Sequence, residues 1–176
     1  TRNHSSAASD VYKRQGWMYE GGIREPFVVR WPGVTRPGSR SEVPVVTTDI
    51  YPTVLEAVGA APRPAQHTGG ESLAPVLRGD GALRREALFW HYPHYGNQGG
   101  FPSAAVRVGD WKLVAAKGEA WQLYDLRGDR AESRDLASAM PSRARALAEA
   151  WQRLVEEMSD LARKTLRPRS KRARRD

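Results

Sequence analysis

The chain has 176 residues, of which 40% are hydrophobic and 27% charged, a composition typical of a globular protein and not of a disordered one. It has no Cys, which excludes disulfides, thiolate metal sites and a cysteine nucleophile within these residues, and no apolar run of the roughly 18 residues that a membrane span needs. The net charge of +8 lies at the two ends, because residues 1–15 contribute +2 and residues 163–176 contribute +7, so the body between them is nearly neutral.

The first patterned segment begins at Gly16, after a polar leader over residues 1–15 that we expect to be non-native or disordered. The run "YEGGIREP" has two adjacent glycines, which permit a close approach of the backbone. It leads into "PFVVRWPG", Pro26 to Gly33, a β-branched and aromatic run closed by Pro-Gly. This pattern predicts a buried strand that ends in a turn.

A helix is predicted in "TTDIYPTVLEAVGA", residues 47–60. Thr48 or Asp49 can cap its start, and Gly59 ends it. The apolar residues that mark one face of this helix are Ile50, Val54, Leu55 and Val58. The run "ESLAPVLRGDG" predicts one or two further helical turns.

The second half predicts a small sheet and a covering helix. Four strand-like runs with short links indicate an antiparallel meander, and they occupy Glu86–Pro93, Ser103–Asp110, Trp111–Lys117 and Ala120–Leu126. From Pro141 a helical pattern carries one apolar stripe, formed by Leu147, Trp151, Leu154, Met158 and Leu161. The predicted fold class is α/β, with an α+β C-terminal part in which a four-stranded antiparallel sheet packs against this helix.

The best candidate for ligand contact is the loop in "FWHYPHYGNQGGFP", which follows the first predicted strand. It combines His91 and His94 with Tyr95 and Asn97, polar groups on a glycine-containing backbone. The alternative is that His91 is an ordinary strand residue and His94 lies in an exposed turn. No third carboxylate or imidazole falls at a typical ligand spacing, so no metal site is predicted.

Two charged segments have weaker functional interpretations. "YDLRGDRAE", with Asp125, Asp129 and Glu132, is rich in oxygen ligands but lacks the spacing of an EF-hand, and a turn capped by Asp side chains is the favoured interpretation. The C-terminal run "ARKTLRPRSKRARRD" has no aromatic residue to stack on a base. We therefore predict a solvated, disordered basic tail over residues 165–176 and no nucleic-acid partner, with binding of an anionic polymer as the alternative.

The order of the motifs resembles the C-terminal part of the sulfatase family, which has an alkaline-phosphatase-like fold. The resemblance extends from Gly16 to about Met158 and is carried by "YEGGIREPFVVRWPG", "TDIYPTVLEAVGA", "GGESLAPVLRG", "LFWHYPHY", "AVRVGDWKLV" and "LYDLRGDRAESRDLA". It implies that residues 16–85 form the end of the catalytic domain, with Pro26–Gly33 as the last strand of a large mixed sheet. Residues 86–164 would then form the small C-terminal subdomain.

The resemblance also implies an activity for a longer parent protein: hydrolysis of sulfate esters or N-sulfate groups, with a formylglycine nucleophile made from Cys or Ser beside a bound calcium. The motifs that supply both lie in the N-terminal portion of the family and are absent here. We therefore expect this chain to bind neither cofactor and to be inactive alone. The parent would be periplasmic or secreted.

One family position falls at the edge of this chain. Sulfatases commonly have the sequence Gly-Lys-Gly-x-x-Tyr-Glu-Gly-Gly, in which the Lys contacts the sulfate. When this motif is aligned on Tyr19, Gln15 occupies the position of that Lys. The neutral amide of Gln15 does not neutralise the charge of a sulfate. "DVYKRQ" is also one translation of a transposon-derived sequencing adapter. We expect residues 10–15 to be adapter sequence and residues 1–9 to lie outside the sulfatase sequence, the rival interpretation being a divergent N-terminal arm.

By the same resemblance, substrate contacts are expected at the entrance of the site, and the candidates are His91, His94, Tyr95, Asn97 and Arg107. The expected partner is a sulfated small molecule or, more specifically, a sulfated glycan, with no membrane partner. Two alternatives stay open: a non-catalytic module that binds an anionic polymer, and a fragment of a phosphatase or phosphodiesterase of the same superfold.

Overall fold

The computed structural model describes residues 17–66, 69–93, 103–116 and 118–165. These residues form two compact units. One, which we call the sheet unit, combines the stretch before Pro26 with the stretch from Ala87 onward; the other, the helical unit, is Pro26–Glu86. The sheet unit is therefore built from two stretches that are far apart in sequence. The predicted division into residues 16–85 and 86–164 concerns the longer family protein and stays a prediction.

The sheet unit contains a four-stranded antiparallel sheet in which each strand pairs with the next along the chain. Its elements are helix α1 (Glu20–Ile23), strands β1 (Leu88–Tyr92), β2 (Ser103–Val108), β3 (Trp111–Ala116) and β4 (Gln122–Asp125), and the long helix that we number α4 (Pro141–Thr165). Gly109 has φ +58°, and Val108 pairs with Trp111, so the β2–β3 link is a two-residue turn of the kind glycine favours. The predicted meander and its covering helix are confirmed.

Each face of the sheet carries its own apolar cluster, because successive side chains of a strand point to opposite faces. The buried residues on the α4 side are Val106, Leu113, Leu123 and Leu147. Those on the other side are Tyr19, Ala105, Val114, Tyr124 and Leu126. The sheet is thus the middle layer between α4 and the N-terminal stretch of the same unit.

Helix α4 is longer than the sheet that it covers. Its 25 residues span about 37 Å, whereas a six-residue strand spans about 20 Å. Leu147 is buried, but Met158 and Leu161 are 42% and 37% exposed. The predicted apolar stripe is therefore packed only in its N-terminal part.

The helical unit is organised around a buried aspartate. Its elements are a 3₁₀ turn (Thr47–Asp49), helix α2 (Ile50–Ala57) and helix α3 (Ala74–Arg78). The Asp49 carboxylate is fully buried and accepts two hydrogen bonds of 2.6 Å from Arg85. It also accepts the backbone N–H groups of Val46 at 2.9 Å and Glu71 at 3.0 Å. Asp49 therefore ties three loops together and makes no side-chain cap on α2.

The charge state of Asp49 follows from these contacts. Burial alone raises the pKa of its carboxyl, but the hydrogen bonds from Arg85, Val46 and Glu71 outweigh burial and hold the pKa below the ordinary value of 3.8. The ionised carboxylate therefore stabilises the helical unit above pH 3.8. That contribution is lost as the pH falls through the lower value of the folded state.

Two apolar segments of the helical unit differ from the sequence-based expectation. Pro26–Gly33 forms no strand, and its Phe27 and Val28 are 50% and 90% exposed. A buried strand needs neighbouring strands for its backbone hydrogen bonds, and the described residues of this unit contain none. The predicted apolar face of α2 is exposed as well, at Ile50, Val54 and Val58.

We expect Gly70→Ala to destabilise the helical unit. A Cβ atom at Gly70 would lie 2.2 Å from the backbone oxygen of Thr48, a clash that only a backbone shift relieves. The free energy of unfolding should fall by about 1–3 kcal/mol, measured by chemical denaturation. The matched control is Gly128→Ala, where a Cβ atom meets nothing within 4 Å. Equal unfolding free energies for the two variants would contradict the packing described around Thr48.

We expect Asp49→Asn to cost about 3 kcal/mol at neutral pH, because it leaves the guanidinium of Arg85 without its carboxylate in a largely buried site. Below pH 3.8 the difference between wild type and variant should shrink, because the carboxyl of the unfolded wild type is protonated first and that of the folded protein only at a lower pH. Urea unfolding from pH 3 to 7 measures both effects. Asp80→Asn, at an exposed position of the same unit, is the control. A difference that is independent of pH would show that the carboxylate charge is not the cause.

Candidate functional site

His91 lies on β1 and is exposed to solvent. Its ring centroid is 5.5 Å from that of Trp151 on α4, and Trp151 in turn donates its indole N–H to the backbone oxygen of Trp90 at 3.1 Å. Trp121 packs edge-on against Trp151 at 5.5 Å between centroids. The imidazole is therefore supported by an aromatic cluster and keeps an exposed edge that can donate or accept a hydrogen bond.

Arg107 lies on β2, on the other face of the sheet. It pairs with Leu88 of β1, three residues before His91, and an odd separation along a strand places two side chains on opposite faces. Its guanidinium Nε donates to the backbone oxygen of Gly109 at 2.9 Å. The structure therefore does not bring His91 and Arg107 together.

The other candidates, Gln15, His94, Tyr95 and Asn97, lie outside the described residues. Their assignment as substrate contacts, together with that of His91 and Arg107, stays a prediction. So does the interpretation of residues 10–15 as adapter sequence.

A buried ion cluster is the most unusual polar feature of the sheet unit, and sequence reasoning missed it. The ammonium of Lys112 on β3 is fully buried and lies 2.9 Å from Glu20 Oε1 and 2.9 Å from Glu132 Oε1. Both carboxylates are themselves less than a tenth exposed. We call Glu20, Lys112 and Glu132 the buried triad.

The triad joins three segments that are distant in sequence. Glu20 opens helix α1, Lys112 is the second residue of β3, and Glu132 lies in the turn after β4 with φ +53°. The backbone N–H of Glu20 also donates to Glu132 Oε2 at 2.6 Å. Two features of the sequence could have indicated the cluster. One is Lys112 within the apolar strand "WKLVAA", and the other is Glu132 in a turn whose Asp side chains cap backbone N–H groups.

The turn itself is capped as predicted. The Asp129 carboxylate accepts the backbone N–H groups of Ser133 and Arg134 at 2.9 Å, and Asp135 accepts that of Leu123 at 3.0 Å. These contacts leave Glu132 as the acidic residue of the turn that points into the unit.

Electrostatics make the triad a structural cluster. Burial raises the pKa of Glu132, and the neighbouring Lys112 ammonium only partly opposes this effect. Arg24, which is about half exposed, adds a second cation 3.7 Å from Glu20 Oε2, and the Lys112 ammonium that the two carboxylates share is fully buried. A group so enclosed does not reach a substrate, and its chemistry is therefore ion pairing within the fold.

The residues that the structure describes do not suit a calcium site. Among the residues that the structure describes, no group of three or more acidic or imidazole side chains is placed to hold a metal ion. The buried carboxylates Asp49, Glu20 and Glu132 are each paired with a cationic side chain, whereas Ca²⁺ requires six to eight oxygen ligands. In the same described ranges, no helix has the length and apolar character to cross a membrane.

Comparison with known proteins gives matches along most of the chain. A "Sulfatase" of Formosa agariphila is 37% identical over 145 residues, which cover 76% of this chain and 26% of that protein. The N-acetylglucosamine-6-O-sulfatase of Bacteroides thetaiotaomicron is 31% identical over 133 residues, covering 69% of this chain and 23% of that protein. The chain thus spans about a quarter of the length of these relatives.

A solved structure, BT4656 in complex with its substrate D-glucosamine-2-N,6-O-disulfate, superimposes on the chain with a TM-score of 0.60. It is 24% identical and covers 77% of this chain and 28% of its own length, and at this identity the likeness shows the fold alone.

A family model described as N-sulphoglucosamine sulphohydrolase, C-terminal, matches residues 11–163. The matched range begins inside the segment interpreted as adapter sequence and ends within α4. It contains the whole sheet, the buried triad, the Asp49–Arg85 ion pair and both α-helices of the helical unit. The chain therefore belongs to this family of sulfatase C-terminal domains.

Proposed function

We propose that this chain is the C-terminal part of a sulfatase that removes sulfate from a sulfated glycan sugar, and that the chain by itself is catalytically inactive. The observation that carries the proposal is the family match over residues 11–163, combined with a span of only a quarter of the relatives' length. A formylglycine nucleophile and calcium would belong to the longer parent protein.

The sulfated-sugar class is supported by two of the similar proteins. One relative is named for action on N-acetylglucosamine 6-O-sulfate, and the solved structure BT4656 holds a sulfated glucosamine as its substrate. The exposed imidazole of His91, backed by Trp151, is the described side chain of this chain best suited to meet a sugar. Its predicted companions in the following loop would add further hydrogen-bonding groups.

The proposal is tested on the source gene. Long-read sequencing across the locus should show an upstream frame with a Cys- or Ser-x-Pro-x-Arg motif and Lys at position 15. The encoded protein should release sulfate from glucosamine 6-O-sulfate and leave the corresponding phosphate ester intact. Release of phosphate but not sulfate would replace the proposal with a phosphatase of the same superfold.

We expect the 176-residue chain alone to release no sulfate from an aryl sulfate or from glucosamine 6-O-sulfate, because it has neither Cys nor a Ser-type nucleophile motif. Ion chromatography of inorganic sulfate measures this. The control is a heat-treated sample of the same preparation, which reports sulfate already present. Turnover above that control would refute the inactivity of the chain.

We also expect that the basic tail does not cause the chain to bind heparin at about 0.15 M salt. Deleting residues 163–176 removes seven net positive charges, so a chain whose role is to hold anionic polymers should lose its affinity with them. Fluorescence titration of the full and shortened chains measures the difference. Salt-sensitive binding that disappears with the tail would favour the anionic-polymer alternative.

A further inference from the structure

We propose that the C-terminal half of α4 is a docking surface for a second copy of this chain, and that the two copies pair there as antiparallel helices around a twofold axis. We call residues 152–165 the overhang, because this part of α4 extends past the apolar cluster on the sheet. The proposal rests on the apolar and charged side chains of the overhang and is independent of the proposed function.

The apolar stripe of α4 continues beyond its contact with the sheet. The residues of α4 that belong to or pack on the cluster of this face are Ala144, Leu147, Ala148 and Trp151. The same spacing of three and four residues then continues through Leu154, Met158 and Leu161. Met158 and Leu161 are 42% and 37% exposed. The overhang therefore extends the stripe by about 21 Å past its last contact with that cluster.

The spacing of the stripe suits a second helix. Alternating steps of three and four residues average about 3.5, the repeat with which one helix packs its apolar seam against another in a coiled coil. Directly beside the stripe lie Val155 and Ala162 on one flank, and Glu157 and Lys164 on the other. The overhang thus has a narrow apolar seam with one apolar and one charged flank, the pattern of a helix in a two-helix coiled coil.

The charged flank is complementary to itself when the two helices are antiparallel. In that arrangement the same flank of each helix faces its counterpart, so Glu157 of each copy faces Lys164 of the other. Both side chains are exposed. A parallel pair sets the charged flank of one helix against the apolar flank of the other and forms neither ion pair. The charges therefore select the antiparallel orientation.

The charge that follows α4 favours the same orientation. Residues 163–176 carry a net charge of +7. A parallel pair brings the C-terminal ends of both helices together, and with them two such charges. An antiparallel pair separates these ends by the length of the seam, about 21 Å, which exceeds the screening length of about 8 Å at 0.15 M salt. Repulsion between the two basic segments is then largely screened.

Other polar side chains of the overhang pair within the helix. Arg163 donates to Asp160 at 2.9 Å, and Gln152 donates to Glu156 at 2.7 Å. None of these four positions belongs to the stripe or to its flanks. The pairs therefore stabilise the overhang as a helix without using the surface that the second copy would cover.

The dimer should be weak. A standard specific interface buries about 1,600 Å² in total, and one short seam between two helices buries less. Exposed ion pairs add specificity more than affinity. We therefore expect a monomer–dimer equilibrium that depends on concentration in the micromolar range.

The test is sedimentation velocity of the 176-residue chain from about 5 to 500 μM, a range suited to a weak interface. The weight-average sedimentation coefficient of the wild type should rise with concentration as a monomer–dimer equilibrium predicts. Met158→Glu, in the middle of the seam, should remove this rise. The matched control is Val54→Glu on α2, an apolar residue that is 51% exposed in the helical unit, and it should associate like the wild type.

Charge reversal tests the orientation. Glu157→Lys and Lys164→Glu each place like charges opposite one another, so each variant alone should associate about tenfold more weakly than the wild type. An equimolar mixture of the two variants should recover the association of the wild type, because every cation then faces an anion of the other variant. Glu156→Lys makes the same change of net charge one residue away, outside the seam, and should have little effect.

Three results would overturn the proposal: a wild type that stays monomeric throughout, association that Met158→Glu leaves intact, or a mixture of the charge variants that associates no better than either alone. The second would place the contact on another surface, and the third would exclude the antiparallel seam. If Met158→Glu does not fold, as judged by circular dichroism, the charge variants at exposed positions still decide the question. Sulfate release is not part of any readout, so failure of the proposed function would leave these results unchanged.

Discussion

The burial of one ammonium group governs the architecture of the sheet unit. Lys112 is fully enclosed, and a buried unpaired charge costs several kcal/mol, so the fold must bring carboxylates to it. Neither carboxylate is close in sequence: Glu20 precedes the whole helical unit, and Glu132 follows the last strand. The contact between Glu20 and Lys112 therefore links the two separated stretches of the unit.

The two units stabilise their buried carboxyl groups in different ways. In the helical unit a buried aspartate meets a bidentate arginine and two backbone donors, which together favour the ionised carboxylate. In the sheet unit two carboxylates compete for one ammonium, and burial favours the neutral form of Glu132. Protonation therefore removes a stabilising contribution of Asp49, whereas it relieves the cost of burying the Glu132 charge, so the contributions of these two carboxyls depend on pH with opposite sign.

Local patterns in the sequence predicted the strands, their order and the long helix, because alternation, turn residues and helical spacing are local signals. They did not predict the charged partners of Lys112 and Asp49, because those partners lie 20 to 92 residues away and no local rule links them. The family resemblance did not supply these pairs either. At Phe27 and Val28 the local pattern gave a wrong prediction. The composition of this segment predicts burial, but burial of a strand depends on neighbouring strands, which the described residues of the helical unit do not contain. For the candidate site, the sequence named His91 and Arg107, and only the strand register revealed that they occupy opposite faces.

The long separation between Glu20 and Lys112 also has a consequence for biosynthesis. Closing a flexible loop of 92 residues costs about 4 kcal/mol of chain entropy before any contact offsets it. At translation rates of about 5–20 residues per second, Glu20 leaves the ribosome roughly 5–18 seconds before Lys112 does. During that interval the nascent chain can complete the helical unit, whose contacts are all more local, while Glu20 stays hydrated. The sheet unit is thus a late-folding, high-contact-order body whose first segment must wait for its last.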